Sequence, residues 1–182
     1  PTFNLTVADS IALPPSSSPV RKFNLISQHE TNINAVAGVT EKTFLNLSIA
    51  ANQADYIIIS NPALYNNGAG VNYVDQYRQY RSSVAGGSYN AKVYNIDEIT
   101  EQFAFGINKH PVAIRDFARY ADQQFAAKPK FVFLIGRAVT YNDYKINQAS
   151  PDADKLNLVP TFGWPASDIL LVSNPGTVVP VI

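Results

Sequence analysis

Two imidazoles and no thiol limit the nucleophilic chemistry that these residues can carry out. A thiolate nucleophile needs a cysteine and a histidine that takes its proton, but the 182 residues contain two histidines and no cysteine. His110 comes directly before a proline that starts a predicted helix, and His29 lies in the turn-like stretch Gln28-His29-Glu30. We interpret both as boundary or solvated residues. The sequence therefore predicts no catalytic and no cofactor-binding residue in this chain.

Carboxylates follow predicted strands or stand in a long polar loop. Asp97 comes after the second predicted strand, Asp143 lies in the loop, and Asp168 precedes a short apolar run. Ligands of open α/β sheets bind at the carboxyl ends of the strands, and calcium takes carboxylate and carbonyl oxygens. These three residues are the metal-ligand candidates, with calcium as the cation. The competing interpretation makes Asp97 a helix cap and Asp168 an acceptor for backbone N–H groups.

Three further residues lie where we predict the edge of a cleft. Asn61 ends the first predicted strand, Arg137 follows the third, and Trp164 lies in the loop beyond. We predict all three at the cleft edge, where Trp164 could stack on a sugar or a peptide. The alternatives are a salt bridge from Arg137 to Asp143 or Asp168, and packing of Trp164 beneath the loop.

Charge and composition exclude several classes of partner. Charged residues make up 15% of the chain, and 14 basic residues balance 14 acidic ones, so no basic surface for nucleic acid is predicted. No apolar run approaches the roughly 20 residues of a transmembrane helix. Neither a phosphate-binding glycine loop nor a Gly-x-Ser-x-Gly motif is present. The many uncharged polar residues are ones that we associate with exported bacterial proteins.

Three buried strands separated by helices form the predicted framework. Continuous apolar runs predict strands over 54–60, 91–96 and 130–136, and apolar residues at helical spacing predict helices over 71–84, 98–103 and 111–125. Strands that alternate with helices in this way form a parallel sheet with right-handed crossovers. The predicted fold class is α/β, a three-layer sandwich with a mainly parallel sheet.

The chain before this framework has a different pattern. A stretch rich in proline and serine runs to about Ser18, and the segments Phe23–Ser27 and Thr43–Ile49 alternate apolar with polar residues. That alternation predicts short, peripheral antiparallel strands. We therefore divide the chain into an N-terminal arm with short β-strands, residues 1–52, and an α/β domain, residues 53–182.

The last third of the chain is predicted to be less regular. Residues 137–160 form a long polar loop, Ile169–Val172 a short strand, and Val178–Ile182 an interrupted element. No initiator methionine or signal peptide begins the sequence. We therefore expect these residues to be a piece of a longer protein.

Four stretches of the framework combine into a recognisable set of motifs. They read ADYIIISNP at 54–62, ITEQFAFG at 99–106, PVAIRDF at 111–117, and KFVFLIG at 130–136 with NLVPT at 157–161 and Asp168 behind it. In residues, order and spacing they resemble the gingipain family of cysteine peptidases, most closely the branch that serves as the sortase of the type IX secretion system. The resemblance covers about residues 55–172.

The resemblance implies a caspase-like fold of two subdomains, with the catalytic histidine and cysteine in the later one. This chain is similar to the first, non-catalytic subdomain, truncated before those residues. The resemblance also implies calcium binding. Relatives commonly have Gly-Asp after the third strand, whereas this chain has Gly136 followed by Arg137, which reverses the charge at the cleft edge.

We expect the parent to be a cysteine endopeptidase or sortase-like transpeptidase, secreted or attached to the surface of a bacterium, that acts on exported proteins or peptides. This chain would supply scaffold and one cleft wall, with the remainder of the peptidase domain as its partner, and would be inactive alone. The alternative, motivated by Arg137, is a diverged and inactive surface binding or adhesion module. A third interpretation is a complete flavodoxin-like domain with its own ligand.

Overall fold

The computed structural model describes Pro15, Ser17 and residues 38–147 and 150–182. The chain divides into two compact units, Pro1–Glu41 and Lys42–Ile182, and every element given below lies in the second. The strand predicted at Phe23–Ser27 and the residue His29 lie outside the described residues. No helix within the described ranges has the length and apolar character needed to cross a bilayer.

Three parallel strands form one sheet. They are β1 (Tyr56–Ser60), β2 (Ala91–Asn95) and β3 (Phe131–Ile135), in the order β2-β1-β3. Ile57, Ile58 and Ile59 of β1 are completely buried, as expected of a central strand that is covered on both faces. The three predicted parallel strands are confirmed, and the first along the chain is the middle one.

Helices cover both faces of this sheet. They are α1 (Tyr73–Ser82), α2 (Ile96–Phe103) and α3 (Val112–Gln124). Val74 of α1 belongs to the hydrophobic cluster with Tyr56 and Ile58, while α2 and α3 pack on the opposite face with Ile57 and Ile59. Successive side chains of a strand point to opposite faces, so these two clusters are the two cores of a three-layer sandwich. The predicted α/β fold class is confirmed.

Asparagine side chains cap the helices α1 and α2. The Asn72 Oδ1 atom accepts from the Asp75 N–H at 3.0 Å, and the Asn95 Oδ1 atom accepts from the Asp97 N–H at 2.9 Å. The prediction that Asp97 caps this helix is therefore wrong, since Asn95 is the cap. Asp97 is the second residue of the helix and lies in its first turn, where its negative charge interacts favourably with the helix dipole.

The segment before β1 turns instead of pairing. The Asn46 side chain accepts from the Ser48 N–H at 3.0 Å, and the backbone continues into a 3-10 helix at Ala50–Asn52. The strand predicted at Thr43–Ile49 is therefore wrong. Asparagine offers the backbone local hydrogen bonds that compete with a strand ladder, and the alternation of apolar and polar residues did not reveal this competition.

The stretch after β3 is more regular than predicted. It contains two short helices, α4 (Tyr141–Ile146) and α5 (Pro151–Leu156), so the prediction of a loop over 137–160 is wrong for these residues. Thr140 caps α4 through its hydroxyl oxygen, which accepts from the Asp143 N–H at 3.3 Å. Pro151 occupies the first position of α5, which suits proline because no backbone donor is needed there.

The short strand predicted at Ile169–Val172 is also wrong. Residues Asp168–Leu171 form a 3-10 helix, and Leu171, only 1% exposed, joins the core cluster that contains α3. A short apolar run is compatible with either a buried strand or a buried helical turn. Beyond it, Ser173 forms an isolated antiparallel bridge with Pro180. The interrupted element predicted at Val178–Ile182 is therefore one side of a loop that this bridge closes.

Candidate functional site

The carboxyl ends of β1 and β3 form the edge of the sheet where a ligand is expected. In open parallel sheets, ligands bind beyond the carboxyl ends of the strands at the point where the strand order reverses. In the order β2-β1-β3 that point lies between β1 and β3. Asn61 follows β1, and Gly136 and Arg137 follow β3, so the structure places two of the three predicted cleft-edge residues here.

Asn61 is held by hydrogen bonds on both sides of its amide. Its Oδ1 atom accepts from the Ala63 N–H at 3.0 Å, and its Nδ2 atom donates to the Leu158 carbonyl at 3.2 Å. The residue is only 7% exposed. A buried amide whose donor and acceptor are both used is a fixed structural connector. Asn61 therefore ties the end of β1 to the segment around Leu158.

The segment Asn157–Val159 occupies the gap between the two strand ends. The Arg137 carbonyl accepts from the Leu158 N–H at 2.8 Å and from the Val159 N–H at 3.0 Å. Val159 is 4% exposed and packs directly over Gly136, where an added Cβ would lie 2.5 Å from the valine Cγ2 atom. The chain therefore fills this crevice with its own residues.

Asn157 completes the closure of the crevice. It is 2% exposed, and its Oδ1 atom accepts from the Val139 N–H at 3.3 Å. Neither Asn157 nor Val159 was singled out as a site residue from the sequence. The Asn-Leu-Val-Pro stretch was recognised as a motif, but no sequence signal shows that it lies across the ends of two strands that precede it by many residues.

The Arg137 side chain points to solvent. It is exposed, and no ion pair within 38–147 and 150–182 involves it. The predicted alternative, a salt bridge to Asp143 or Asp168, is therefore not formed. A free guanidinium presents five N–H donors in a planar arrangement that suits carboxylates and carbonyl oxygens.

Trp164 lies in a separate turn over Phe162–Ser167. The Ser167 N–H closes this turn by donating to the Phe162 carbonyl at 2.9 Å. Trp164 is 76% exposed, so the alternative that it packs beneath the loop is wrong. No hydrogen bond or aromatic pair in the described part of the chain joins it to Asn61 or Arg137.

The three carboxylates proposed as metal ligands do not form one cluster. Asp97 is exposed in the first turn of α2, and Asp168 is exposed at the start of the last 3-10 helix. Asp143 lies in α4, where its Oδ2 atom accepts from the Thr140 hydroxyl at 2.6 Å. Within 38–147 and 150–182, no three histidine, aspartate or glutamate side chains come together as a metal site would require.

Two acidic side chains, Asp97 and Glu98, lie next to the end of β2. Tyr65 is half-buried there, and its burial, together with the negative charges of Glu98 and Asp97, raises the pKa of the phenol to about 12. A shallow cavity of about 300 Å³ opens beside Tyr65 and is lined in part by Glu98 and Asn95. Sequence reasoning did not find this cavity, because its walls come from distant parts of the chain.

Among the described residues at this edge, the Asn61 and Asn157 amides form hydrogen bonds within the fold. The exposed Arg137 guanidinium can hold a carbonyl or a carboxylate of a ligand through hydrogen bonds. His110 lies at the start of α3, where its Nδ1 atom accepts from the Val112 N–H at 3.2 Å. That contact confirms the interpretation of His110 as a helix-boundary residue.

Comparison with known protein families produces one match. Residues 49–178 match the model of a family described as Peptidase family C25. The matched range contains all three strands together with Asn61, Arg137 and Trp164. Searches of curated proteins and of solved structures each found no match.

Proposed function

Because this chain belongs to Peptidase family C25, the gingipain family of cysteine peptidases, we propose that it forms the non-catalytic first half of the peptidase domain. In this role the sheet is a scaffold, and its carboxyl edge is one wall of the substrate cleft. The single observation that carries the proposal is the absence of any cysteine from the 182 residues. In this proposal the thiolate that the family's chemistry needs comes from residues outside these 182.

The open side of the sheet supports this role. β3 pairs with β1 on one edge, and no strand in the described ranges pairs with its other edge. Phe131 and Phe133 of β3 are 44% and 40% exposed. The Tyr77 ring of α1 lies 5.1 Å from the Phe133 ring, so the exposed aromatic surface continues from the strand onto the helix.

An unpaired strand edge beside exposed aromatic rings is a surface on which another strand docks. We assign this surface, made of β3 and the neighbouring face of α1, to the remainder of the peptidase domain. The next strand would pair with β3, and its connection would cover Phe131 and Phe133. The catalytic residues would then lie beyond the carboxyl edge, opposite Asn61 and Arg137.

The finer assignments rest on the four motif stretches. Their order and spacing support a caspase-like domain and the sortase branch of type IX secretion. On that basis the parent is a secreted or surface-attached bacterial protein, and its substrates are exported proteins or peptides. Calcium is the cation we propose, and it would be bound by oxygen ligands such as backbone carbonyls together with single carboxylates.

One observation favours a second candidate function. Arg137 is exposed and takes part in no ion pair of the described residues, and it stands where the resemblance to the family implies an aspartate. A free cation at a cleft edge suits binding of an acidic peptide without cleavage, so a diverged surface binding or adhesion module is the alternative. Reading the parent gene beyond residue 182 for one histidine and one cysteine, each after an apolar strand, separates the two functions.

The proposal is tested by incubating the purified 182-residue chain with a diverse peptide pool and measuring products by mass spectrometry. We expect no cleavage, because the chain has no thiol. An Asn61→Ala, Arg137→Ala double variant, purified identically, is the control. Cleavage by the wild-type chain that the double variant loses would refute the proposal, whereas equal cleavage in both preparations would identify a contaminating protease.

A further inference from the structure

The loop between β1 and α1 contains the one Asn-Gly pair of the sequence, Asn67-Gly68. The stretch Asn66–Gly70 is exposed to solvent. Gly68 has a φ of 83°, and no atom lies within 4 Å of the position where its Cβ would be. The space beside the Gly68 Cα atom is therefore open, and the backbone nitrogen of Gly68 is the one that follows Asn67 in the chain.

Backbone donors converge on the Asn67 side chain. Its Oδ1 atom accepts from the Ala69 N–H at 2.9 Å and from the Val71 N–H at 3.1 Å. Two donors on a carbonyl oxygen withdraw electron density from the carbon and stabilise the oxyanion that forms when a nucleophile attacks it. The Gly68 N–H donates to the neighbouring Asn66 Oδ1 atom at 2.9 Å, which holds the peptide that contains the attacking nitrogen.

We propose that Asn67 is a self-modification site at which the folded loop promotes deamidation. The Gly68 backbone nitrogen attacks the Asn67 Cγ atom and loses its proton, and a C–N bond closes a five-membered imide ring. The Cγ–Nδ2 bond breaks, and ammonia leaves with that proton. Solvent water then adds to one of the two imide carbonyls and opens the ring to aspartate or isoaspartate, without any oxidant or reductant.

The aspartate product fits the loop that forms it. A carboxylate at residue 67 keeps an oxygen where Oδ1 lies, and hydrogen bonds from N–H groups to a charged acceptor are stronger than those to a neutral amide. The loop leads into α1, whose N-terminus favours negative charge. The isoaspartate product adds one carbon to the backbone between the Asn67 side chain and its two donors, so it disrupts the turn.

Modification would change the electrostatics of the protein. The formal net charge of the chain is zero at pH 7, so one conversion makes it negative. The new charge lies in the loop that follows β1, directly after the segment anchored by Asn61. This inference concerns the chemistry of the loop and does not depend on the proposed peptidase role.

The test is to hold the purified chain at mildly alkaline pH, digest samples over time, and follow each asparagine by mass spectrometry. A parallel sample is held in concentrated urea. We expect the mass change from NH₂ to OH at Asn67, and we expect it to be faster in the folded chain than in urea. Asn61 and Asn174 precede prolines, which offer no N–H nucleophile, so they serve as internal controls that stay unchanged.

Two variants assign the reaction to these atoms. Asn67→Gln should abolish the change, because a longer side chain does not close the five-membered ring. Gly68→Ala places a methyl group beside the attacking nitrogen and should slow the reaction roughly tenfold, which corresponds to about 1.4 kcal/mol of added barrier. Modification of Asn67 that is no faster in the folded chain than in urea, or that occurs in neither sample, would overturn the proposal, since the folded loop would then have no effect, be protective or be inert.

Discussion

Val159 closes the crevice at the end of β3 because residue 136 has no side chain. An alanine Cβ at this position would lie 2.5 Å from the Val159 Cγ2 atom and 3.0 Å from its Cβ atom. Valine is stiff at χ1, and Val159 is only 4% exposed, so it cannot simply move aside. The Gly136–Val159 contact therefore decides whether this edge of the sheet is filled or open.

Gly136→Ala is expected to destabilise the chain by about 1–3 kcal/mol, the usual cost of overpacking. The double variant with Val159→Ala should recover part of this loss, because the two sites share one contact. Urea unfolding of the wild type, both single variants and the double variant measures the coupling. Gly38→Ala is the matched control, since nothing lies within 4 Å of its Cβ position. Strictly additive effects would show that Val159 does not pack there.

β3 differs from the other strands because one of its faces is partly uncovered. Val132 and Leu134 pack against the core under α2 and α3, while Phe131 and Phe133 on the other face remain about two-fifths exposed. The helix on that face, α1, packs mainly over β2 and β1. A strand with one free edge and one exposed aromatic face associates readily with other chains.

We expect the purified chain to self-associate in a concentration-dependent manner and Phe133→Lys to reduce that association. The lysine places a charge on the docking surface, and charges on edge strands oppose pairing. Light scattering over a concentration series measures the effect. Phe105→Lys is the control, because Phe105 is 96% exposed in a separate loop. A wild-type chain that stays monomeric would favour a self-sufficient sheet and remove the support that β3 lends to the proposed function.

Buried tyrosines couple the stability of the whole molecule to alkaline pH. Burial, followed by the hydrogen bond with the Tyr77 hydroxyl, raises the pKa of Tyr56 to about 12, and burial together with Glu98 and Asp97 raises the pKa of Tyr65 to about 12. Burial also raises the pKa of Tyr94. An unfolded tyrosine ionises near pH 10, so between these values the folded state holds more protons than the unfolded state.

Stability should therefore fall as the pH rises from about 10 toward 12, because the unfolded state releases protons that the folded state retains. Below pH 10 both states are protonated at these phenols, and they contribute no slope. The urea midpoint measured at successive pH values gives this profile. Tyr65→Phe should make the decline above pH 10 less steep. A profile that is identical for wild type and variant would show that Tyr65 ionises alike in both states.

The sequence determined the strands, the helices between them and the fold class. Runs such as Ile57-Ile58-Ile59, and the apolar stripe of α3 with Ile114 and Phe117, are local patterns that reflect burial on two faces or one. The composition likewise shows that the chain has no thiol, because it contains no cysteine. The Asn61 and Arg137 positions were predictable as strand ends, since the strands themselves were.

Only the tertiary structure decided which groups meet at those ends. Asn95 caps α2 in place of Asp97, and the apolar run at 169–172 forms a helical turn, because hydrogen-bond partners and packing neighbours choose between locally similar conformations. The segment Asn157–Val159 fills the crevice between β1 and β3, although it is about a hundred residues from β1. Local periodicity indicates that a residue is buried, whereas the residue that it contacts depends on the path of the whole chain.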